Sequence, residues 1–259
     1  LQGAGAISGA VIAMVADLTR EEHRTKAMAL IGSTIGVAFA LSLVVSPVLN
    51  RLIGVPGIFA LTGLLAIGAA LLVWRVVPDP TGPRTPARGT MAEFRSLLSD
   101  GQLLRLNYGI FALHALLMAM FIALPLSLRD AGLPVAQHWH VYLPVMLLSF
   151  VLMMPAVMRT GKGRQLKRYF MFAVALVLLA QVLLYVLPAH LWPLAFVLLV
   201  FFTAFNVLEA MLPSLISRMA PPQSKGAALG IYSSVQFLGT FVGSAVGGYA
   251  YGQWGAHGV

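Results

Sequence analysis

The stretch "PLAFVLLVFFTAFNVLEAMLPSLIS", residues 193–217, is apolar or weakly polar along its whole length, and Glu209 is its one ionisable side chain. An α-helix needs about 20 apolar residues to cross roughly 30 Å of hydrocarbon, so the stretch predicts a membrane-spanning helix. A charged acid at the centre of such a helix costs about 2.5–3.5 kcal/mol on insertion scales and usually faces a cavity or a partner. We therefore expect Glu209 to be functional. The alternative is a neutral acid that holds a neighbouring helix by hydrogen bonds.

The rest of the chain has the same apolar character. Its 259 residues are 59% hydrophobic and 10% charged, with a mean hydropathy of +0.87, whereas about a quarter of a soluble domain is charged. The apolar runs are continuous rather than alternating, which favours helices over a β-barrel. We predict an all-α polytopic membrane protein with eight spans: 1–16, 27–49, 54–77, 106–128, 139–158, 169–187, 192–216 and 226–250. Because the first run is short and opens the chain, we expect a fragment.

Basic residues are concentrated on one side of the predicted spans. The loops 17–26, 75–105, 159–168 and 217–225 hold 15 of the 17 Lys and Arg residues, and only Arg51 and Arg129 lie on the other side. This asymmetry assigns the basic loops to the cytoplasm. The basic residues of these loops explain the pI of 10.4. We therefore expect a lipid bilayer as partner and no nucleic acid. We expect a multi-pass protein of the bacterial inner membrane.

A weak internal repeat indicates two halves. "RTKAMALIGSTIG" (24–36) and "QSKGAALGIYSSV" (223–235) each follow a basic loop and open the next span, six spans apart. A six-span period is typical of transporters built from two six-helix halves. The segment 78–105, rich in Pro, Gly and Arg, is the expected divider. Within it, "MAEFRSLLSD" (91–100) predicts a short amphipathic helix.

Three stretches resemble the major facilitator superfamily, and within it the YajR-like branch of drug:proton antiporters. They are "LQGAGAISGAVIAM" (1–14), "ADLTREEHRTKAMA" (16–29) and "NVLEAMLPSLIS" (206–217). The resemblance implies the major facilitator fold with eight of its twelve transmembrane helices, numbers 4–11. Residues 1–77 would be the last three helices of the N-terminal bundle, 78–105 a cytoplasmic linker, and 106–259 the first five helices of the C-terminal bundle.

The resemblance also implies residues that control the conformational cycle. Gln2, Gly3 and Gly5 match the signature of the family's fourth helix, and Asp17 would join a charge cluster that locks the outward-open state. The alternative is that Asp17 is simply solvated at the membrane interface. Span 27–49 matches the antiporter signature in part, through Gly32, Gly36, Ser46 and Pro47, with Ser46 in place of a glycine. Small residues four apart let helices approach closely, and the proline bends the helix.

Five polar side chains inside spans are candidates for the substrate and proton pathway. Glu209 and Asn206 share one face of their helix. His114, whose imidazole is a group able to carry a proton, lies with Asn107 in span 106–128. The resemblance implies that both of these spans line the central cavity. Gln236 lies in span 226–250. A packing role is the alternative for His114, and amides in spans often act only as contacts between helices.

The sequence predicts transport rather than catalysis. It has no cysteine, no metal-ligand cluster, no nucleophile–base triad and no phosphate or dinucleotide motif, so we expect no metal, no cofactor and no enzyme activity. We expect a monomeric, proton-coupled transporter that exports small amphipathic or cationic compounds by alternating access. The alternative on the same fold is a facilitator-type importer of a sugar or another small metabolite.

Overall fold

The computed structural model describes residues 11–12, 14–15, 19–20, 22–76, 91–159 and 164–258, which are helical apart from short connections. The helices are α1 (Arg24–Val76), α2 (Met91–Ser99), α3 (Gly101–Asp130), α4 (Trp139–Arg159), α5 (Arg164–Val186), α6 (Leu191–Met219) and α7 (Lys225–Trp254). Single 3₁₀ turns occupy Val135–Gln137, Pro222–Ser224 and Gly255–Gly258. Among these residues, six stretches are long and apolar enough to cross a membrane: Val48–Val76, Gly101–Asp130, Val135–Arg159, Gln165–Val186, Leu191–Met219 and Pro222–Trp254. The prediction of an all-α polytopic membrane protein is confirmed.

Helix α1 contains the boundary between two predicted spans, 27–49 and 54–77. Its 53 residues run as one helical segment except at Gly54, where the backbone turns with φ 65° and ψ 178°. Glycine adopts a positive φ without the steric cost that other residues meet, so the helical run kinks there. The predicted span 1–16 lies mostly outside the described residues.

The short amphipathic helix predicted within 91–100 is present as α2. Its Leu97 is buried and lies beside Leu103 of α3 and Ile216 of α6. Asp100 then caps α3, because its Oδ1 accepts hydrogen bonds from the backbone N–H groups of Gln102 (2.8 Å) and Leu103 (3.1 Å). An N-terminal cap of this kind stabilises a helix by about 1 kcal/mol. The end of the connecting segment is therefore fixed against the helices.

Helix α6 occupies the centre of the described helices. It packs against α1, α3, α4, α5 and α7, and its buried residues extend from Leu194 to Ser217. This position answers the question that Glu209 raises in the sequence. The carboxyl belongs to a helix that packs against five other helices, and Glu209 itself is half-buried among them.

Helices α3 and α7 are held together by a glycine stripe that the sequence patterns did not single out. Gly239, Gly243 and Gly247 recur every four residues, so they lie on one face of α7. A side chain at any of them would overlap α3, at Phe111, Ala115 and Ala119 respectively. The backbones of α3 and α7 are thus in direct contact, and this contact fixes how the side chains on either side of it meet.

We expect Gly243→Ala to destabilise the protein, with Gly230→Ala as the matched control on the same helix. Alanine favours a helix over glycine by about 1 kcal/mol at either site. A Cβ at Gly230 meets nothing within 4 Å, whereas one at Gly243 overlaps the backbone of Ala115. Overpacking of this kind costs about 1–3 kcal/mol. In detergent, Gly243→Ala should melt several degrees below Gly230→Ala, and equal melting temperatures would contradict the close contact.

Helix α1 meets the other helices at two places. At its first turn, the Oγ1 of the buried Thr25 lies 2.9 Å from the Oγ of Ser214 on α6, and Arg218 Nη2 donates to the same Oγ1 at 3.4 Å. We call Thr25, Ser214 and Arg218 the cytoplasmic seam, since the basic loops assign these helix ends to the cytoplasm. About three turns further along α1, a side chain at Gly36 would overlap the ring of Phe150 on α4.

The other residues predicted to control the conformational cycle differ in their surroundings. A side chain at Gly32 would meet nothing within 4 Å, so the close approach expected at both glycines is found only at Gly36. Ser46 is exposed, and Pro47 lies inside the helical run of α1. Gln2, Gly3, Gly5 and Asp17 lie outside the described residues.

Candidate functional site

Three of the predicted site residues meet in the middle of the helices. Glu209 comes from α6, Gln236 from α7 and His114 from α3. The Nε2 atom of Gln236 donates to Oε1 of Glu209 at 3.0 Å and lies 2.9 Å from Nε2 of His114. A glutamine amide nitrogen carries two hydrogens, so one amide can donate to both partners. We call these three residues the polar cluster.

The glycine stripe explains why residues 122 positions apart meet. Gln236 precedes Gly239 by three residues, and His114 follows Phe111 by three, so each shares the contacting face of its own helix. The stripe presses Gly239 against the backbone of Phe111. It therefore brings the amide of Gln236 up to the imidazole ring.

The polar cluster retains unused hydrogen-bonding capacity. His114 is 9% exposed and Glu209 is half-buried. Within the described part of the chain, Oε2 of Glu209 and Nδ1 of His114 are shielded from solvent and have no hydrogen-bond partner. Buried polar groups are nearly always paired, and an unpaired one indicates a missing water or ion or a catalytic role. Both atoms are thus positioned to bind a water molecule, a proton or a substrate group.

Tyr232 extends the polar cluster, although the sequence patterns did not single it out. It lies one turn before Gln236 on α7, its side chain is fully buried, and its hydroxyl has no partner among the described residues. The sequence does contain a pattern that could have indicated Tyr232: it and Gln236 are polar residues four positions apart in an apolar helix, so they share one face.

The other two predicted pathway residues lie elsewhere. Asn206 donates from Nδ2 to the Oγ of Ser149 at 2.9 Å, and Ser149 donates in turn to the backbone oxygen of Met146 at 2.7 Å. It thus ties α6 to α4. Asn107 is buried beside Leu97 and Ile216, and no hydrogen bond joins it to the polar cluster in the described residues. Two turns of helix, about 10 Å, separate it from His114.

Aromatic rings adjoin the polar cluster on its outer side. The ring centroid of Phe205 lies 5.5 Å from that of His114 and 6.3 Å from that of Phe202. Phe121 continues the series, 6.1 Å from Phe202 and 6.0 Å from Tyr142. We call Phe121, Tyr142, Phe202 and Phe205 the aromatic wall. Phe202 and Tyr142 are buried, whereas Phe121 and Phe205 are partly exposed.

The polar cluster provides two groups of the kind that bind metals, Glu209 and His114. Across the described residues, no group of three or more His, Cys, Asp or Glu side chains lies close enough together to hold an ion. What the arrangement can do chemically is to take up and release protons and to form hydrogen bonds with a ligand.

Comparison with known proteins identifies the family. The family model of the Major Facilitator Superfamily matches residues 1–244. The chain is 42% identical over 261 residues to the inner membrane transport protein YajR of Escherichia coli (strain K12), which covers all of this chain. It is 31% identical over 245 residues to an uncharacterized transporter of Buchnera aphidicola subsp. Acyrthosiphon pisum, covering 93% of the chain. The crystal structure of the human organic anion transporter MFSD10 (TETRAN) shares the fold, with a TM-score of 0.73 over 95% of this chain at 22% identity.

The chain spans 58% of the length of the E. coli relative, 63% of the Buchnera relative and 62% of the human chain. The apolar helices and the similarity to an inner membrane protein identify a multi-pass protein of the bacterial inner membrane. Since the family model covers nearly the whole chain, and the predicted major facilitator fold is confirmed, the chain belongs to the major facilitator superfamily.

Proposed function

We propose that the chain is part of a proton-coupled secondary transporter that exports small amphipathic or cationic compounds by alternating access. The observation that carries the proposal is the polar cluster: an acid on the central helix α6, hydrogen-bonded to an amide that also contacts an imidazole. The name of the E. coli relative supports transport rather than catalysis.

Glu209 is the proposed proton carrier. Intramembrane acids in pumps and transporters mark proton relays, and Glu209 has both a hydrogen-bonded oxygen and an unpartnered one. A membrane potential of 100 mV is worth about 2.3 kcal/mol for each charge moved across it. When one proton is exchanged for a neutral amphipathic compound, one charge crosses the membrane and the potential drives the exchange. When one proton is exchanged for a monovalent cation, no net charge crosses and the pH gradient alone drives it.

A cationic substrate is supported by what surrounds the acid. A carboxylate attracts a cation directly, and aromatic faces within about 6 Å of a cation add to the attraction. Phe205 and Phe202 adjoin the polar cluster, with Phe121 behind them. Aromatic contacts of this kind tolerate ligands of varied shape, as an exporter of several compounds requires.

Alternating access is supported by the distribution of contacts between the proposed halves. Residues 1–77 would form part of one bundle and 106–259 part of the other, joined by 78–105. In the structure α1 touches α6 at the cytoplasmic seam and α4 at Gly36. This is the arrangement expected when the cytoplasmic entrance is closed. Gln2, Gly3, Gly5 and Asp17 belong to the first half, where we propose that they stabilise the same closed state.

The test is uptake by the full-length protein in proteoliposomes with an acidic lumen. The substrate is a fluorescent, permanently charged quaternary cation, which cannot be trapped by protonation. We expect the cation to accumulate in the lumen in exchange for protons, and to be released when nigericin collapses the pH gradient. Protein-free liposomes are the control. Equilibration of a radiolabelled neutral sugar without cation accumulation would show instead the facilitator-type importer.

A further inference from the structure

We propose that the amide of Gln236 makes Glu209 and His114 load and unload protons as a pair. The inference rests on the proposed function, in which Glu209 carries protons. It starts from one geometric fact: both titratable side chains contact the same end of the same amide, the Nε2 atom.

This orientation defines the protonation state that the structure contains. The amide nitrogen is a donor only, so the Nε2 atom of His114 must accept, and the imidazole is neutral with its proton on Nδ1. Likewise Oε1 of Glu209 accepts the second amide hydrogen. In the proposal this arrangement is the unloaded pair, a carboxylate beside a neutral ring, with a net charge of −1.

A proton arriving at His114 disrupts this arrangement. A new N–H bond at Nε2 would point at the N–H of the amide, donor against donor. The conflict is relieved when the amide of Gln236 turns by half a rotation, which exchanges its nitrogen and oxygen. The amide oxygen has two lone pairs, so it then accepts from the imidazolium and faces Oε1 of Glu209.

The turned amide in turn requires a proton on Glu209. An amide oxygen facing a carboxylate oxygen sets two acceptors against each other. A proton taken up from water at Oε1 forms an O–H bond that donates to the amide. A proton on Oε2 would leave the conflict in place, and it would be a buried donor without a partner among the described residues, which is unfavourable. Paired loading requires this conflict between acceptors to outweigh the attraction between the imidazolium and the carboxylate. Two protons then enter together, and the net charge changes from −1 to +1.

Paired loading links protons to substrate through charge. The unloaded cluster attracts a cation and the loaded cluster repels it, so binding of a monovalent cation releases two protons. The titratable groups facing the amide in the described structure are Glu209 of α6, His114 of α3 and Tyr232 of α7, the last through Glu209. From α4, Ser149 accepts a hydrogen bond from Asn206 of α6, and its hydroxyl does not titrate in the working range. Gln236 is thus a positioning residue: it acts through Glu209 and His114.

The experiment measures how cation affinity depends on pH, using the full-length protein in detergent and a fluorescent quaternary cation. By linkage, each proton released on binding changes Kd about tenfold per pH unit in the range where the site titrates. We expect Kd of the wild type to rise about a hundredfold per pH unit as the pH falls through that range. Gln236→Met, which keeps the shape but cannot donate or accept, should reduce this to about tenfold.

A matched variant separates the amide contact from general effects. Gln181→Leu removes an amide on α5 whose Nε2 is buried and has no partner among the described residues. It should keep the wild-type dependence.

A tenfold dependence in the wild type would overturn paired loading, and so would an unchanged hundredfold dependence in Gln236→Met. No pH dependence at all in the wild type would overturn the proposed function of Glu209 itself, and the two failures are therefore distinguishable. The wild-type measurement decides the question even if Gln236→Met does not fold.

Discussion

Transport should stop when cysteines at positions 25 and 214 are oxidised to a disulfide, and it should resume when the disulfide is reduced. The side-chain oxygens of Thr25 and Ser214 lie 2.9 Å apart, and the sulfurs of a disulfide are about 2.05 Å apart, so Thr25→Cys and Ser214→Cys place their sulfurs within bonding reach. The bond would join α1 to α6 at the cytoplasmic seam. If substrate enters from the cytoplasm only when these helices separate, the cross-linked protein cannot complete a cycle.

The measurement is cation uptake by proteoliposomes of the double variant before oxidation, after oxidation and after dithiothreitol. We expect uptake to fall to the level of protein-free liposomes and then to recover. Each single cysteine variant, treated with the same oxidant, controls for damage elsewhere. Undiminished uptake by fully cross-linked protein would show that the seam stays closed throughout the cycle.

The membrane spans could be predicted from the sequence because each depends only on a continuous run of neighbouring apolar residues. A run of about 20 apolar residues predicts a helix wherever it occurs, and five of the six described spans lie close to the predicted bounds. Residues 50–53 were predicted to separate two spans. The structure continues helix through them and kinks at Gly54, where a positive φ interrupts the helical backbone.

The individual members of the polar cluster were predictable, but their meeting was not. Glu209, His114 and Gln236 each stand out as polar residues in apolar helices. Their contact depends on the register between α3 and α7, which the glycine stripe sets by direct backbone contact. That register is a property of two helices packed together, so the periodicity of one helix does not contain it.

Asn107 and Asn206 show the limit of arguments from helical faces. Each shares a face with a member of the polar cluster, as the spacing predicts. Asn107 lies about two helical turns from His114 along the helix axis. Asn206 donates instead to Ser149, which lies on a third helix. Thr25 and Ser214 were not predicted at all, since hydroxyl residues are common in membrane helices and nothing in the sequence pairs residues 189 positions apart.

Helix α6 connects the two parts of the proposed mechanism. Glu209 precedes Ser214 by five residues and Arg218 by nine, so about 7 to 14 Å of helix, with Pro213 inside it, links the polar cluster to the cytoplasmic seam. A change in charge at Glu209 therefore acts on the same element that closes the cytoplasmic side. Proton loading and opening of the seam would be coupled by movement of that helix.

The measurement that tests the central claim most directly is pH-driven cation accumulation by Glu209→Gln. Glutamine keeps the shape and can still accept the hydrogen bond from Gln236, but it cannot ionise. The protein should therefore melt at the wild-type temperature, and the accumulation driven by the pH gradient should disappear. Asn206→Ala, one turn away, serves as the matched control, because it removes a hydrogen bond to Ser149 and no titratable group. It should weaken binding and keep the coupling. Accumulation by Glu209→Gln equal to that of the wild type would contradict the proposal and leave Glu209 as a structural contact between helices.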